Sequence, residues 1–331
     1  MLDETPVTIR ELADPDSQFV RVQGILVHYK LAQPILSPTT PTPSSPKVIL
    51  LLHGFFSNLN SFSEILQPLA DATGHQVIAY DRLGFGLTER PLVFPLDGAN
   101  YSSNSSDPSA IIRANPWTFP ASVHLSFALL DALYITHDVI IVGNSAGGDL
   151  ATHTYLAYKS RVISLILLSA ALSGAPPKIL RTISSSAPTL WLIRKFLSKA
   201  IPFKKQYYDK RMAKLPAMIE KYRKPLRVPE FWLGFGLVSK YGNVGGITKV
   251  IGELTEVDLL LVTGEQDALA PVRQLVSFHA ELVALRRQRE QKLTTARVEL
   301  ALIPLCGHAA QEEKPVELLD ILVPFINRTI V

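Results

Sequence analysis

At 331 residues, with 47% hydrophobic and 19% charged residues, the chain can bury one large core or a core with an insertion. A net charge of +4 is too weak on its own to imply a nucleic-acid partner, and no basic run with interleaved aromatics is tied to a nucleic-acid fold. The lone cysteine, Cys306, excludes an internal disulfide, and the acidic N-terminus has no apolar signal-like segment, so a reducing, cytoplasmic setting is expected.

In chain order, the first signal is an alternating segment from Phe19 to Tyr29 that turns at Gln23-Gly24 and reads as a β-hairpin. Residues 34–46 are dense in Pro, Ser and Thr and read as a surface connection. Val48-Ile49-Leu50-Leu51-Leu52 is a continuous apolar run, expected as a buried parallel strand, and ends in His53-Gly54-Phe55-Phe56. Helical spacing follows through Phe62, Ile65, Leu66 and Leu69, then a second strand at residues 77–80. Residues 91–120, with prolines at 91, 95, 108, 116 and 120, read as irregular. A helix is expected over 121–133 and strands over 138–142 and 162–168. The alternation breaks at 171 and resumes with a strand at 257–262, a helix at 271–285, a strand at 298–303 and a helix at 315–326. Such alternation implies an α/β class with a mostly parallel sheet covered on both faces, and a site at the carboxyl ends of its strands.

The strand at 138–142 runs into Gly143-Asn144-Ser145-Ala146-Gly147 and then a helical segment. A serine at a sharp strand-to-helix turn, with glycines two residues to either side, is the arrangement of a nucleophile elbow. A serine hydroxyl needs a base to take its proton, and that base needs an acid to fix its tautomer. Later strand-end loops offer both: Gly264-Glu265-Gln266-Asp267 and Gly307-His308. His308 is assigned as base and Asp267 as orienting acid, since Glu265 lies nearer the strand end and points away. The backbone N–H groups of Phe55 and Ala146 are the expected oxyanion donors. His53 is read as holding its loop. Phe56, Asn144, Trp191 and Trp232 are the expected substrate contacts. No metal or organic cofactor is needed for this chemistry.

The set His53-Gly54-Phe55, Asp81-Arg82-x-Gly84-x-Gly86, Gly143-x-Ser145-x-Gly147, Gly264-x-x-Asp267 and Gly307-His308 resembles the α/β-hydrolase superfamily. The resemblance implies that fold, with a helical cap at residues 171–250 inserted into a core formed by 1–170 and 251–331. It disfavours the haloalkane dehalogenases and epoxide hydrolases, which carry Asp where Ser145 stands.

The cap segment holds 16 Lys and Arg against 3 Asp and Glu, leaving 17 against 26 elsewhere. Its basic residues interleave with Leu190, Trp191, Phe196, Phe231, Trp232 and Phe235. Three readings fit: an interfacial element on an anionic membrane surface, a plain lid over the site, or an anionic-ligand site. The first two imply a hydrophobic substrate. Residues 13–20, Gly24, 27–30, 82–88 and 143–147 are similar to the chlorophyll dephytylases of photosynthetic organisms. That similarity implies cleavage of the phytol ester of chlorophyll at a thylakoid surface. The expected activity is therefore a serine carboxylic-ester hydrolase working through an acyl-enzyme. A lipase, thioesterase or acyltransferase, a C–C hydrolase of the same fold, or a binding protein on this scaffold are the alternatives.

Overall fold

The computed structural model describes residues 7–35, 45–101, 105–173, 194–195, 204–242, 245–289 and 296–329. The strands are β1 Gln18–Val22, β2 Ile25–Ala32, β3 Val48–Leu52, β4 Gln76–Tyr80, β5 Val139–Asn144, β6 Val162–Leu168, β7 Asp258–Gly264 and β8 Val298–Ile303. They make one sheet in the order β1-β2-β4-β3-β5-β6-β7-β8. The hairpin β1–β2 joins antiparallel at one edge, and the pairs from β4 to β8 are parallel. Gln23 and Gly24, at φ +47° and +94°, close that hairpin, because two positive-φ residues match the twist of the strands they connect.

Strand β3 shows why the sheet is covered on both sides. All five of its residues are fully buried, and they alternate. Val48, Leu50 and Leu52 join one apolar cluster with Leu125 and Leu129 of α3 (Phe119–Ala132) and Leu150 of α4 (Ala146–Ala157). Ile49 and Leu51 join another, with Ile65 and Leu69 of α1 (Ser63–Thr73) and Leu322 and Phe325 of the closing helix Pro315–Thr329. Each such burial is worth about 1.5–3 kcal/mol, which fixes the register of the strand that leads into His53.

The stretch 91–120 is not wholly irregular. Helix α2, Pro108–Ala114, forms inside it, with the Asp107 carboxylate accepting the Ser109 N–H at 3.0 Å and Pro108 in the first turn. Between β6 and β7 lie α5 (Pro216–Arg223) and α6 (Phe231–Tyr241). Phe231, Trp232 and Phe235 of α6 pack with Leu12, Phe56 and Leu87 of the core. Trp191 lies outside the described residues. Among the described residues, no helix is long and apolar enough to cross a membrane.

Candidate active site

The carboxyl ends of β3, β5, β7 and β8 supply the site. Ser145 follows β5 with φ +54° and ψ −120°, a strained conformation for a residue with a side chain. The turn holds because its N–H donates to Leu168 O at 2.9 Å and its carbonyl accepts from Gly148 and Ala171. The chain crowds itself here. A Cβ on Gly147 would meet Leu52 O at 2.1 Å, and one on Gly143 would meet Gly147 O at 2.4 Å. Ala146 opens α4, so its N–H has no partner in the helix ladder and sits at the positive end of the helix dipole.

The loop after β3 lies across the serine. A Cβ on Gly54 would come within 3.1 Å of the Ser145 Cβ. His53 secures that loop: Arg82 N–H donates to its Nε2 at 3.0 Å, and its Nδ1–H donates to Gly54 O at 2.8 Å. Those contacts require the neutral ring. Burial, then the Arg82 charge, lowers the His53 pKa to about 4. A histidine depressed on folding stabilises fully above its unfolded pKa of about 6.5, and that stability is lost as pH falls toward 4. About 3 kcal/mol should therefore disappear across this window. In urea unfolding against pH, His53→Gln should show a flatter acid limb; an acid limb as steep as that of the unsubstituted protein would refute the neutral-ring assignment.

The next strand end, after β4, carries Asp81, which is 1% exposed and ties the neighbouring loops together. His28 Nδ1 meets its Oδ2 at 2.6 Å, Leu59 N–H donates to Oδ1 at 2.7 Å and Leu87 N–H to Oδ2 at 2.6 Å. Burial alone would raise this carboxyl; the charge and hydrogen bond of His28, with the Leu59 N–H, outweigh it and hold it below its ordinary value.

Asp267, and not Glu265, meets the histidine. Its Oδ2 lies 2.8 Å from His308 Nδ1, while Glu265 is exposed. Asp267 Oδ1 accepts the Leu269 and Ala270 N–H groups at 2.8 and 2.9 Å. Burial raises the Asp267 pKa, but the hydrogen bond and charge of His308 and these two N–H groups together lower it below the usual carboxylate value. An ionised Asp267 accepts Nδ1–H and leaves the Nε2 lone pair of His308 available. The His308 backbone is clamped as well: its N–H donates to Gln206 O at 2.7 Å, and its carbonyl accepts from Asn144 Nδ2 at 3.5 Å. Neighbouring Cys306 is fully buried, and burial pushes its thiol up to about 12, so it is no rival nucleophile.

Ser145, His308, Asn144 and Phe55 line one cavity of about 970 Å³. Asn144 reaches it, but its amide donates to Leu168 O at 3.2 Å and to His308 O, so it joins the elbow to the base loop. Phe56 and Trp232, expected to touch substrate, are not among the residues lining this cavity. Phe56 takes φ +56°, and its ring packs 4.7 Å from Phe235 and 6.3 Å from Trp232, pinning α6 to the core instead.

The sequence reading missed the residues that seat the segment 206–222 beside His308. Glu312, 4% exposed, accepts from Tyr207 at 2.8 Å, Tyr222 at 3.0 Å and Lys221 at 3.2 Å. Burial raises its pKa even against Lys221. Glu313 accepts the N–H groups of Gly307, Tyr208 and Asp209 at 2.7, 3.0 and 2.6 Å. The loop of Gly307 and His308 and residues 206–209 thus form one hydrogen-bonded unit.

A family model described as alpha/beta hydrolase fold matches residues 47–315. The chain belongs to that family. A proline iminopeptidase from Levilactobacillus brevis is 25% identical over 162 residues, 49% of this chain and 45% of that protein, so the chain spans less than half the length of this curated relative. Among solved structures of the alpha/beta hydrolase fold, an esterase from Thermogutta terrifontis superposes with a TM-score of 0.65 at 18% identity, covering 95% of this chain and 100% of that one. A meta-cleavage product hydrolase from Pseudomonas fluorescens IP01 gives 0.61 at 22% identity, covering 94% and 97%. The epoxide hydrolase CorEH gives 0.65 at 15% identity, covering 94% and 98%. At these identities the likenesses establish the alpha/beta hydrolase fold and leave the reaction to the site itself.

Proposed function

We propose that this alpha/beta hydrolase is a serine carboxylic-ester hydrolase acting on esters with an apolar chain. In this reading Ser145 Oγ attacks the ester carbonyl while His308 Nε2 takes its proton. Asp267 holds the imidazolium through Nδ1, and the N–H groups of Phe55 and Ala146 receive the developing oxyanion. His308 returns the proton to the leaving alcohol. Water, deprotonated by His308, then attacks the acyl-enzyme and releases Ser145. The 2.8 Å contact between Asp267 and His308, in a cavity shared with Ser145, supports this reading most directly. Apolar side chains of Phe55, Leu172, Ile219 and Leu269 in the cavity wall support an apolar chain.

A peptidase that takes a free amino terminus would need a carboxylate for the ammonium group. None of the described residues lining the cavity is Asp or Glu, which favours the ester reading over that one.

The test is turnover of p-nitrophenyl butyrate, an acylglycerol and the phytyl ester of chlorophyll in detergent. His308→Gln should lower turnover of any ester accepted by about 10⁴-fold or more. Turnover by His308→Gln equal to that of the unsubstituted protein would overturn the assignment. Cleavage of the phytyl ester alone would narrow the reading to a dephytylase.

A further inference from the structure

The Lys and Arg residues lining the cavity have no Asp or Glu beside them among its described lining. Lys204, Lys205, Lys214 and Arg223 line it from the segment between β6 and β7, together with the apolar wall and Ser145. Four other basic residues of the same segment have acidic partners: Lys221 has Glu312, Lys224 has Asp14, Arg227 has Glu220 and Arg211 has Asp209. Lys204, Lys205 and Lys214 are exposed and have no carboxylate partner among the described residues. A concave, partly apolar surface with charges of one sign concentrates ions of the opposite sign.

We propose that the substrate is an anionic amphiphile: an ester whose apolar chain lies along the cavity wall and whose carboxylate or phosphate is held by Lys204, Lys205 and Lys214. This inference rests on the ester-hydrolase reading and names its substrate class. Exposed ion pairs are individually weak, so the three lysines together should change selectivity about tenfold rather than decide turnover outright. Because they are solvent-exposed, the effect should fall on KM more than on kcat and should fade with added salt.

The experiment compares p-nitrophenyl hemiglutarate, an anionic ester, with neutral p-nitrophenyl valerate. The unsubstituted protein should favour the anionic ester in kcat/KM at low salt, and the advantage should shrink at high salt. Lys204→Ala/Lys205→Ala/Lys214→Ala should lower the anionic-to-neutral ratio about tenfold through KM, and the corresponding triple Arg variant should retain it. A second arm reads binding without turnover. Calorimetry on Ser145→Ala should show dodecanoate or dodecyl phosphate binding more tightly than dodecanol, and whichever anion binds better identifies the headgroup chemistry. Loss of ester turnover with the anion preference intact would count against the hydrolase reading alone. Equal binding of dodecanol and both anions, or a kcat/KM ratio unmoved by the triple Ala variant, would overturn the proposal. So would triple-Ala loss of binding to phosphatidylserine vesicles with the ester ratio unchanged, which would assign the lysines to a membrane surface.

Discussion

Ser145→Ala is expected to lower ester turnover by about 10⁵-fold or more while leaving the folded state as stable as before. The hydroxyl is the group that would form the acyl-enzyme, and neither Asn144 nor Cys306 can replace it. Asn144 is tied to Leu168 and His308, and Cys306 is buried as an inert thiol. A small residual rate should persist, because the Phe55 and Ala146 N–H groups would still polarise a bound carbonyl. Fold and nucleophile can be separated further at the same position. The backbone at Ser145 has φ +54° and ψ −120°, where a Cβ is strained. Ser145→Gly should therefore abolish turnover and also raise the melting temperature, since glycine takes that conformation without penalty. Turnover of Ser145→Ala within tenfold of the unsubstituted rate would refute the nucleophile.

Asp81→Ala should destabilise the protein by about 3–5 kcal/mol in urea unfolding, the largest loss expected from a residue outside the chemistry. The carboxylate is fully enclosed and serves the His28 ring and the Leu59 and Leu87 N–H groups at once. Removing it leaves those three groups buried without an acceptor. They belong to β2, to the turn before α1 and to the loop after β4, so the damage would spread through the floor of the site. Asp81→Asn should recover part of the loss, because its carbonyl can still accept one N–H. A loss under about 1 kcal/mol for Asp81→Ala would show that these loops are held by packing alone.

The reach of the sequence differs from residue to residue. Strands β3 and β5 were legible because an unbroken aliphatic run between turn formers has few other solutions. Ser145 was legible because two glycines must flank a serine whose neighbours come within carbonyl contact of Leu52 and of each other. The Asp267–His308 pairing followed from the place of both residues just beyond parallel strands. Helix α2 was obscured by the surrounding prolines, although Asp107-Pro108 is itself a helix-start signal. Phe56 and Trp232, expected as substrate contacts, pack on each other and on Phe235 instead of lining the cavity, because an aromatic in the loop after β3 can face the cavity or α6. The positive φ of Phe56 that accompanies its packing on α6 is not written in local composition. Glu312 was missed for a different reason: its partners Tyr207, Lys221 and Tyr222 lie 105, 91 and 90 residues away, and only folding brings them together. The charge bias of residues 171–250 was plain from composition, but not which of its basic residues line the cavity.

Covalent labelling tests the central claim most directly. The folded protein is treated with a fluorophosphonate at neutral pH, digested, and the modified peptide sequenced by mass spectrometry. The account predicts a single modification on Ser145 that is lost in His308→Gln and in Asp267→Ala at matched folded fractions. An unlabelled folded protein, or a label on another cavity serine such as Ser57 or Ser173, would contradict it.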